Sequence, residues 1–208
     1  MARAVCEAGC LPRKELYEAW EVARRTRRLF RGGRVVDLAS GHGLLAHFMI
    51  LLDDTSPSAV AADVSLPASA AKLHQTLIAA WPRLAGRVVF VERDVDDVPL
   101  ESGDLVVSSH ACGALTDRIL ERAADARARV AVLPCCHDLD EGRTGPLAGW
   151  LDGPLAIDVM RAVRLERRGY RVRTQTIPAG ITPQNRLLLG EPIAPARQAG
   201  LSSVPPHA

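Results

Sequence analysis

Between Pro12 and Phe30 the apolar residues Leu16, Trp20, Ala23 and Phe30 recur at three-to-four-residue spacing or its multiples, the period of one helix face. Pro12 suits a first helical turn, and Gly32 with Gly33 stops the helix. The pattern predicts an N-terminal helix over 12–30, preceded by a loose lead-in over 1–11. From Val35 onward the period changes. Short apolar runs, bounded by turns, alternate with helical stretches. Strands are expected at 35–37, 58–64, 87–91, 104–108, 129–133, 170–177 and 186–190, and helices at 44–52, 67–81, 114–127 and 154–168.

Strands alternating with helices predict an α/β fold, a doubly wound and mostly parallel sheet with helices on both faces. The last two strands are separated only by the turn 178–184, too short for a crossover helix, so the seventh strand should pair antiparallel. A single domain over 1–190 is expected. The segment 191–208 carries Pro192, Pro195, Pro205 and Pro206 and reads as a disordered tail.

Composition narrows the class without changing this picture. The 208 residues are 48% hydrophobic with a net charge of +2, which fits a soluble globular chain and does not by itself imply nucleic acid. No apolar run approaches a membrane span, so no membrane partner is expected. Glu7, Arg13 and Lys14 interrupt any signal-peptide core, and five cysteines, an odd number, fit reduced thiols. A cytoplasmic location is the expectation. Nothing here bears on oligomeric state.

In open α/β sheets, ligands lie outside the carboxyl ends of the strands. The first strand ends in Asp37 and the turn Ala39-Ser40-Gly41-His42-Gly43, the second in Asp63, the third in Asp94 and Val95, the fourth in Ser108 and His110, the fifth in Cys135, Cys136 and His137. Gly41-x-Gly43-x-x-Ala46 formally matches a dinucleotide fingerprint. Asp37 argues against it, because a carboxylate there repels a pyrophosphate and suits a cation. S-adenosylmethionine (SAM) carries a sulfonium and an ammonium group and no phosphate. Asp63 then fits ribose hydroxyls. An NAD-dependent oxidoreductase and a non-catalytic SAM-binding or interaction module are the competing readings.

These residues resemble the class I SAM-dependent methyltransferases over roughly 12–190. The family's acidic-x-Gly-x-Gly-x-Gly turn stands here as Asp37 to Gly43, with Ala39 in place of the first glycine. The resemblance implies that Asp37, Ala39, Ser40, Gly41 and Gly43 cradle the methionine part of SAM, that Asp63 holds the ribose, that Asp94 with Val95 lies by the adenine, and that Ser108 belongs to the same site. It also implies the antiparallel seventh strand. Three further stretches are similar to a domain shared by the eukaryotic tRNA acceptor-stem 2′-O-methyltransferases and a glutathione-transferase-like C-terminal-domain protein. They are "SSHACGALTD" (108–117), "LPCCHD" (133–138) and "ITPQNRLLLG" (181–190). RNA is therefore one expected acceptor, with protein and small molecules open beside it.

His110, Cys112 and Cys135 are the candidate catalytic residues. His110 is the natural general base for a hydroxyl acceptor. Cys112 and Cys135 would serve if the reaction were cytosine C5 methylation, which demands a low thiol pKa. A zinc reading stands beside these, since His110, Cys112, Cys135, Cys136 and His137 would meet near one point if the fourth and fifth strands are neighbours. No metal is assigned, because the usual Cys-x-x-Cys spacing is missing and adjacent cysteines on a strand end point to opposite sides. The basic run Arg24, Arg25, Arg27, Arg28 and Arg31 is the best candidate for phosphate contacts, against the alternative of a solvated helix face.

Overall fold

A computed structural model describes residues 1–139 and 144–194. In chain order the elements are α1 (Ala2–Ala8), α2 (Arg13–Leu29), β1 (Val35–Leu38), α3 (Leu44–Leu51), β2 (Ala59–Asp63), α4 (Ser69–Ala80), β3 (Val88–Glu92), β4 (Leu105–Ser108), α5 (Ala114–Asp125), β5 (Arg129–Val132), α6 (Gly153–Arg167), β6 (Tyr170–Thr176) and β7 (Arg186–Pro192). The strands form one sheet in the order β3-β2-β1-β4-β5-β7-β6. β1 to β5 run parallel, and β7 lies antiparallel between β5 and β6. The expected doubly wound sheet with an antiparallel last strand is the one observed.

Successive residues of a strand face opposite sides, and the two cores follow that alternation. Val35, Ala59, Ala61, Leu105 and Val107 pack with α1 to α4 on one face. Val36, Leu38, Val106, Val130 and Val132 pack with α5, the buried face of α6 and Tyr170 on the other. Covering both faces is why the central strands read as unbroken apolar runs. Each fully buried Val, Leu or Phe contributes about 1.5–3 kcal/mol over its exposed state. On Val35's side, Phe48 of α3 meets Trp20 of α2 edge to face, with centroids 6.0 Å apart.

Two expectations at the chain's ends need correction. Residues 1–11 are not a loose lead-in. Ala2–Ala8 is helical, and its buried Ala4, Val5 and Ala8 join the core beside α4. Gly9, at φ 63°, closes that helix with its N–H on the Val5 carbonyl. Glu191 and Pro192 do not belong to a tail. They extend β7, pairing with Arg171 and Tyr170. The rest of the expected disordered tail, 195–208, lies outside the described residues, as does 140–143 of the loop after β5.

The arginine run on α2 is also not a free phosphate patch. Arg27 is buried, donating to Asp53 at 3.0 Å, to Ser56 Oγ at 2.8 Å and to the Met49 carbonyl at 3.0 Å. Burial pulls its guanidinium down to about 10, with Asp53 opposing the shift. Arg24 and Arg25 both pair with Glu21, and Arg31 reaches the Leu52 carbonyl and Asp53. Arg28 is left exposed. Arg27 and Arg31 thus tie the end of α2 to the segment between α3 and β2, while Arg24 and Arg25 pair within α2. Among the described residues, no helix is long and apolar enough to cross a membrane.

Candidate active site

Strand order reverses between β1 and β4, and the crevice outside their carboxyl ends is where an open α/β sheet takes its ligand. The first wall is the turn after β1. Ala39, Gly41 and Gly43 all take positive φ (56°, 51° and 69°), so the turn winds tightly into α3. Ala39 sits where glycine would be unstrained. Ser40 N–H donates to the Ala62 carbonyl at 3.0 Å, and Gly43 N–H to the Ser40 carbonyl at 2.8 Å.

The two glycines work differently. A Cβ on Gly43 would stand 2.7 Å from the Phe90 ring, so Gly43 serves packing. Nothing lies within 4 Å of a Cβ on Gly41, whose backbone faces the crevice. Beneath the turn, the Gly43 carbonyl accepts from His47 Nδ1 at 2.6 Å, which leaves His47 Nε2 to accept from His74 at 2.9 Å. Burial pulls His47 down to about 4, so this ring is a neutral brace.

Asp37 does not point openly at the crevice. It is 1% exposed and its Oδ2 accepts the Ala46 N–H, at 3.1 Å, in the first turn of α3. Burial pushes its carboxyl up to about 8, with Asp63 adding to the rise and the Ala46 hydrogen bond opposing it. Asp63 ends β2 beside the turn. Its Oδ2 accepts from Gly41 N–H at 2.8 Å and its Oδ1 from Ser65 N–H at 3.3 Å. A carboxylate accepts about four hydrogen bonds, so lone pairs on both oxygens stay available to ribose hydroxyls.

Asp94 accepts from Asp96 N–H at 3.0 Å and pairs with Arg118. The Asp96 N–H and Arg118 hold its carboxyl below the usual range. Val95 is buried in the core on the α5 side, so its side chain packs and only its backbone is offered to a ligand. Ser40 Oγ on the β1 turn and Ser108 Oγ at the end of β4 are buried without a hydrogen-bond partner among the described residues. Orphaned hydroxyls on adjacent strand ends, an open backbone at Gly41 and a part-paired carboxylate at Asp63 fit SAM.

The acceptor side is built by the loops after β4 and β5. His110 is half exposed, and its Nε2 lies 3.8 Å from Glu18 of α2. Glu18 is buried; its Oε1 faces Lys14 at 3.6 Å, and its Oε2 has no hydrogen-bond partner among the described residues. The sequence did not single out Glu18. Its spacing of four to the buried Val22, and of eight to Thr26, was the available signal.

Cys112, Cys135 and Cys136 converge. Their sulfurs are 3.4 Å (112–135), 3.4 Å (112–136) and 3.8 Å (135–136) apart. The expectation that adjacent cysteines diverge fails because β5 ends at Val132, and the backbone beyond it is irregular. Burial pushes the Cys112 and Cys135 thiols up; Cys136 adds to the rise at Cys112 while Cys135 opposes it, and Cys112 and Cys136 both add to the rise at Cys135. That is opposite to what a thiolate nucleophile needs.

Buried Arg161 braces both loops. It donates to the Gly113 carbonyl at 2.8 Å, to both Asp117 oxygens at 3.1 Å and to Asp158 at 3.1 Å. His137 in turn bonds Asp158 at 2.8 Å. Burial alone would raise Asp158, but His137 and Arg186 outweigh it and hold the carboxyl below its usual range. A cavity of about 540 Å³, lined by Pro134, Leu155, Asp158, Thr176 and Arg186 among others, opens beside this brace.

Comparison with known proteins agrees with the geometry. A family model described as a methyltransferase domain matches residues 15–141. No curated protein matches the sequence. Among solved structures, the apo form of the SAM-dependent methyltransferase SibL superposes with a TM-score of 0.56 at 20% identity, covering 86% of this chain and 56% of SibL. An O-methyltransferase family protein from Burkholderia thailandensis has a TM-score of 0.50 at 18% identity, over 86% of this chain and 55% of its own. PH1948 of Pyrococcus horikoshii, a candidate RNA methyltransferase, has a TM-score of 0.53 at 17% identity, over 84% of this chain and 83% of its own. This chain thus spans just over half the length of the first two.

Proposed function

This chain belongs to the methyltransferase-domain family, whose methyl donor is SAM, and we propose that it delivers the methyl group to a hydroxyl group of RNA. The observation that carries the acceptor half of this reading is the pairing of His110 with Glu18 at the end of β4. A hydroxyl acceptor must lose its proton as the new O–CH₃ bond forms, whereas a neutral nitrogen often need not. His110 Nε2 takes that proton, with Glu18 Oε2 standing 3.8 Å from it.

When bound, SAM supplies a methyl group on a positively charged sulfur that is already a good leaving group. The chain's own task is therefore mainly placement, which is worth about 7–11 kcal/mol in well-oriented reactions. The Gly41 backbone, Ser40, Ser108 and Asp63 hold the donor side. Arg161 and Asp158 keep the β4 and β5 loops, with His110, at a fixed distance from it.

The RNA half rests on the similarity of 108–117, 133–138 and 181–190 to tRNA 2′-O-methyltransferase domains. Exposed cations near the crevice support it, notably Arg93 just past β3 and Lys14 beside Glu18. The test is to incubate the protein with methyl-labelled SAM and total cellular RNA, protein and small-molecule fractions separately. Label is expected in RNA, retained in alkali-stable dinucleotides, because a 2′-O-methyl group blocks alkaline cleavage at that site. Label found only in protein, or only on nucleobases, would overturn the proposal.

A further inference from the structure

We propose that Cys112, Cys135 and Cys136 form a binding site for one thiophilic divalent cation, zinc in the first instance, with its fourth coordination position open to the acceptor side of the crevice. The argument begins with the separations. At a Zn–S distance of about 2.3 Å, a tetrahedral site has sulfurs about 3.8 Å apart. The three pairs here stand at 3.4, 3.4 and 3.8 Å, so a metal could enter with shifts of a few tenths of an ångström. All three ligand atoms meet as one group. A redox pair would need two sulfurs; the third, equally close, is what a metal explains.

The frame around the sulfurs is built for precision. Gly113 N–H donates to the Cys136 carbonyl at 3.2 Å, tying the two cysteine-bearing loops together. Arg161 holds Gly113 from below, and His137, next to Cys136, is anchored on Asp158. Such outer contacts are what orient metal ligands. The exposure pattern supports an open position: Cys112 and Cys136 are solvent-exposed, while Cys135 is half-buried. Structural zinc sites are closed by four protein ligands, whereas three ligands and an open position characterise catalytic ones. On binding, the three thiols release their protons to solvent and no electrons move. A water or an acceptor oxygen takes the fourth place, where the cation would lower its proton affinity.

The test uses the reduced full-length chain, with zinc and with cobalt(II) as a spectroscopic probe. The expected result is retention of a single equivalent of zinc after desalting and a thiolate-to-cobalt charge-transfer band. Cys112→Ser and Cys136→Ser should each lose both, while Cys6→Ser and Cys10→Ser keep them. Alkylation of the wild-type chain followed by peptide mass spectrometry needs no variant to fold. Zinc should protect Cys112, Cys135 and Cys136, leave Cys6 and Cys10 reactive, and lose its effect when a chelator is added. Absent binding, unchanged alkylation, binding that survives Cys112→Ser, or a Cys112–Cys135 disulfide in place of metal uptake would each overturn the site. None of these readouts depends on methyl transfer, so this inference and the RNA proposal fail separately.

Discussion

Asp37 is 1% exposed and its carboxyl is pushed up to about 8, so it is protonated at neutral pH in the folded chain. Unfolded, an aspartate ionises near pH 3.9. Between these values the native state holds a proton that the unfolded state does not. Its contribution is therefore complete below about pH 4 and lost as pH rises toward 8, by up to about 1.4 kcal/mol per pH unit. Asp37→Asn should flatten that slope, because an amide oxygen still accepts from Ala46 N–H without ionising. Urea titrations at a series of pH values check this; parallel wild-type and variant curves would contradict it. At the same scale, His110→Ala should lower kcat by about 10²–10⁴-fold while leaving the SAM dissociation constant unchanged. Glu18→Gln should act in the same direction but more weakly. Single-turnover kinetics beside calorimetric SAM binding separate the two effects, and an unchanged rate in both variants would remove the proposed base.

The loops after β4 and β5 are held to α6 by Arg161 on the Gly113 carbonyl and by His137 on Asp158. Arg161→Met would leave Asp117 and Asp158 with less compensation, and breaking a buried ion pair costs about 3–5 kcal/mol. The denaturation midpoint should fall accordingly, and a loss below about 1 kcal/mol would show that the brace is dispensable. Such an element-to-element contact also marks where the sequence stopped being legible. The strands could be read because double burial makes them apolar runs, and α2 because its apolar period continues for four turns. α1 has only seven residues, and its buried positions are small, so no period stands out. β7 runs two residues further than expected because its partners, Tyr170 and Arg171, lie on another strand, and Pro192 reads locally as a breaker. In the site, the Gly turn was visible as a local motif and Asp63 as the acidic end of the next strand. The meeting of Cys112 with the cysteines after β5 followed from β4 and β5 being neighbours, but not the turning of Cys135 and Cys136 to the same side, which depends on the irregular backbone beyond Val132.

Over the whole molecule, two opposed titrations set the working range. Asp53 and Asp158 are held below the usual carboxylate range, each against the burial that would raise it, by Thr55, Gly32 and Arg27 in one case and by His137 and Arg186 in the other. Their stabilisation is present above about pH 4 and lost as pH falls through their folded values. Asp37 removes stability in the other direction. The melting temperature should therefore peak in the mildly acidic range; a maximum above pH 8 would contradict the Asp37 assignment, and one below about pH 4 those of Asp53 and Asp158. Finally, the strand order carries a consequence for synthesis. β7, made last among the described strands, occupies the slot between β5 and β6. Until residue 192 has left the ribosome, β5 presents a bare apolar edge and β6 has no partner strand, so the nascent chain must wait with an unfinished sheet. A chain cut after Asn185 should bind chaperones and aggregate, although it retains every proposed SAM contact. Ribosome-stalled chains of increasing length, probed by limited proteolysis, should gain protection abruptly once β7 emerges, and gradual protection from β4 onward would refute it.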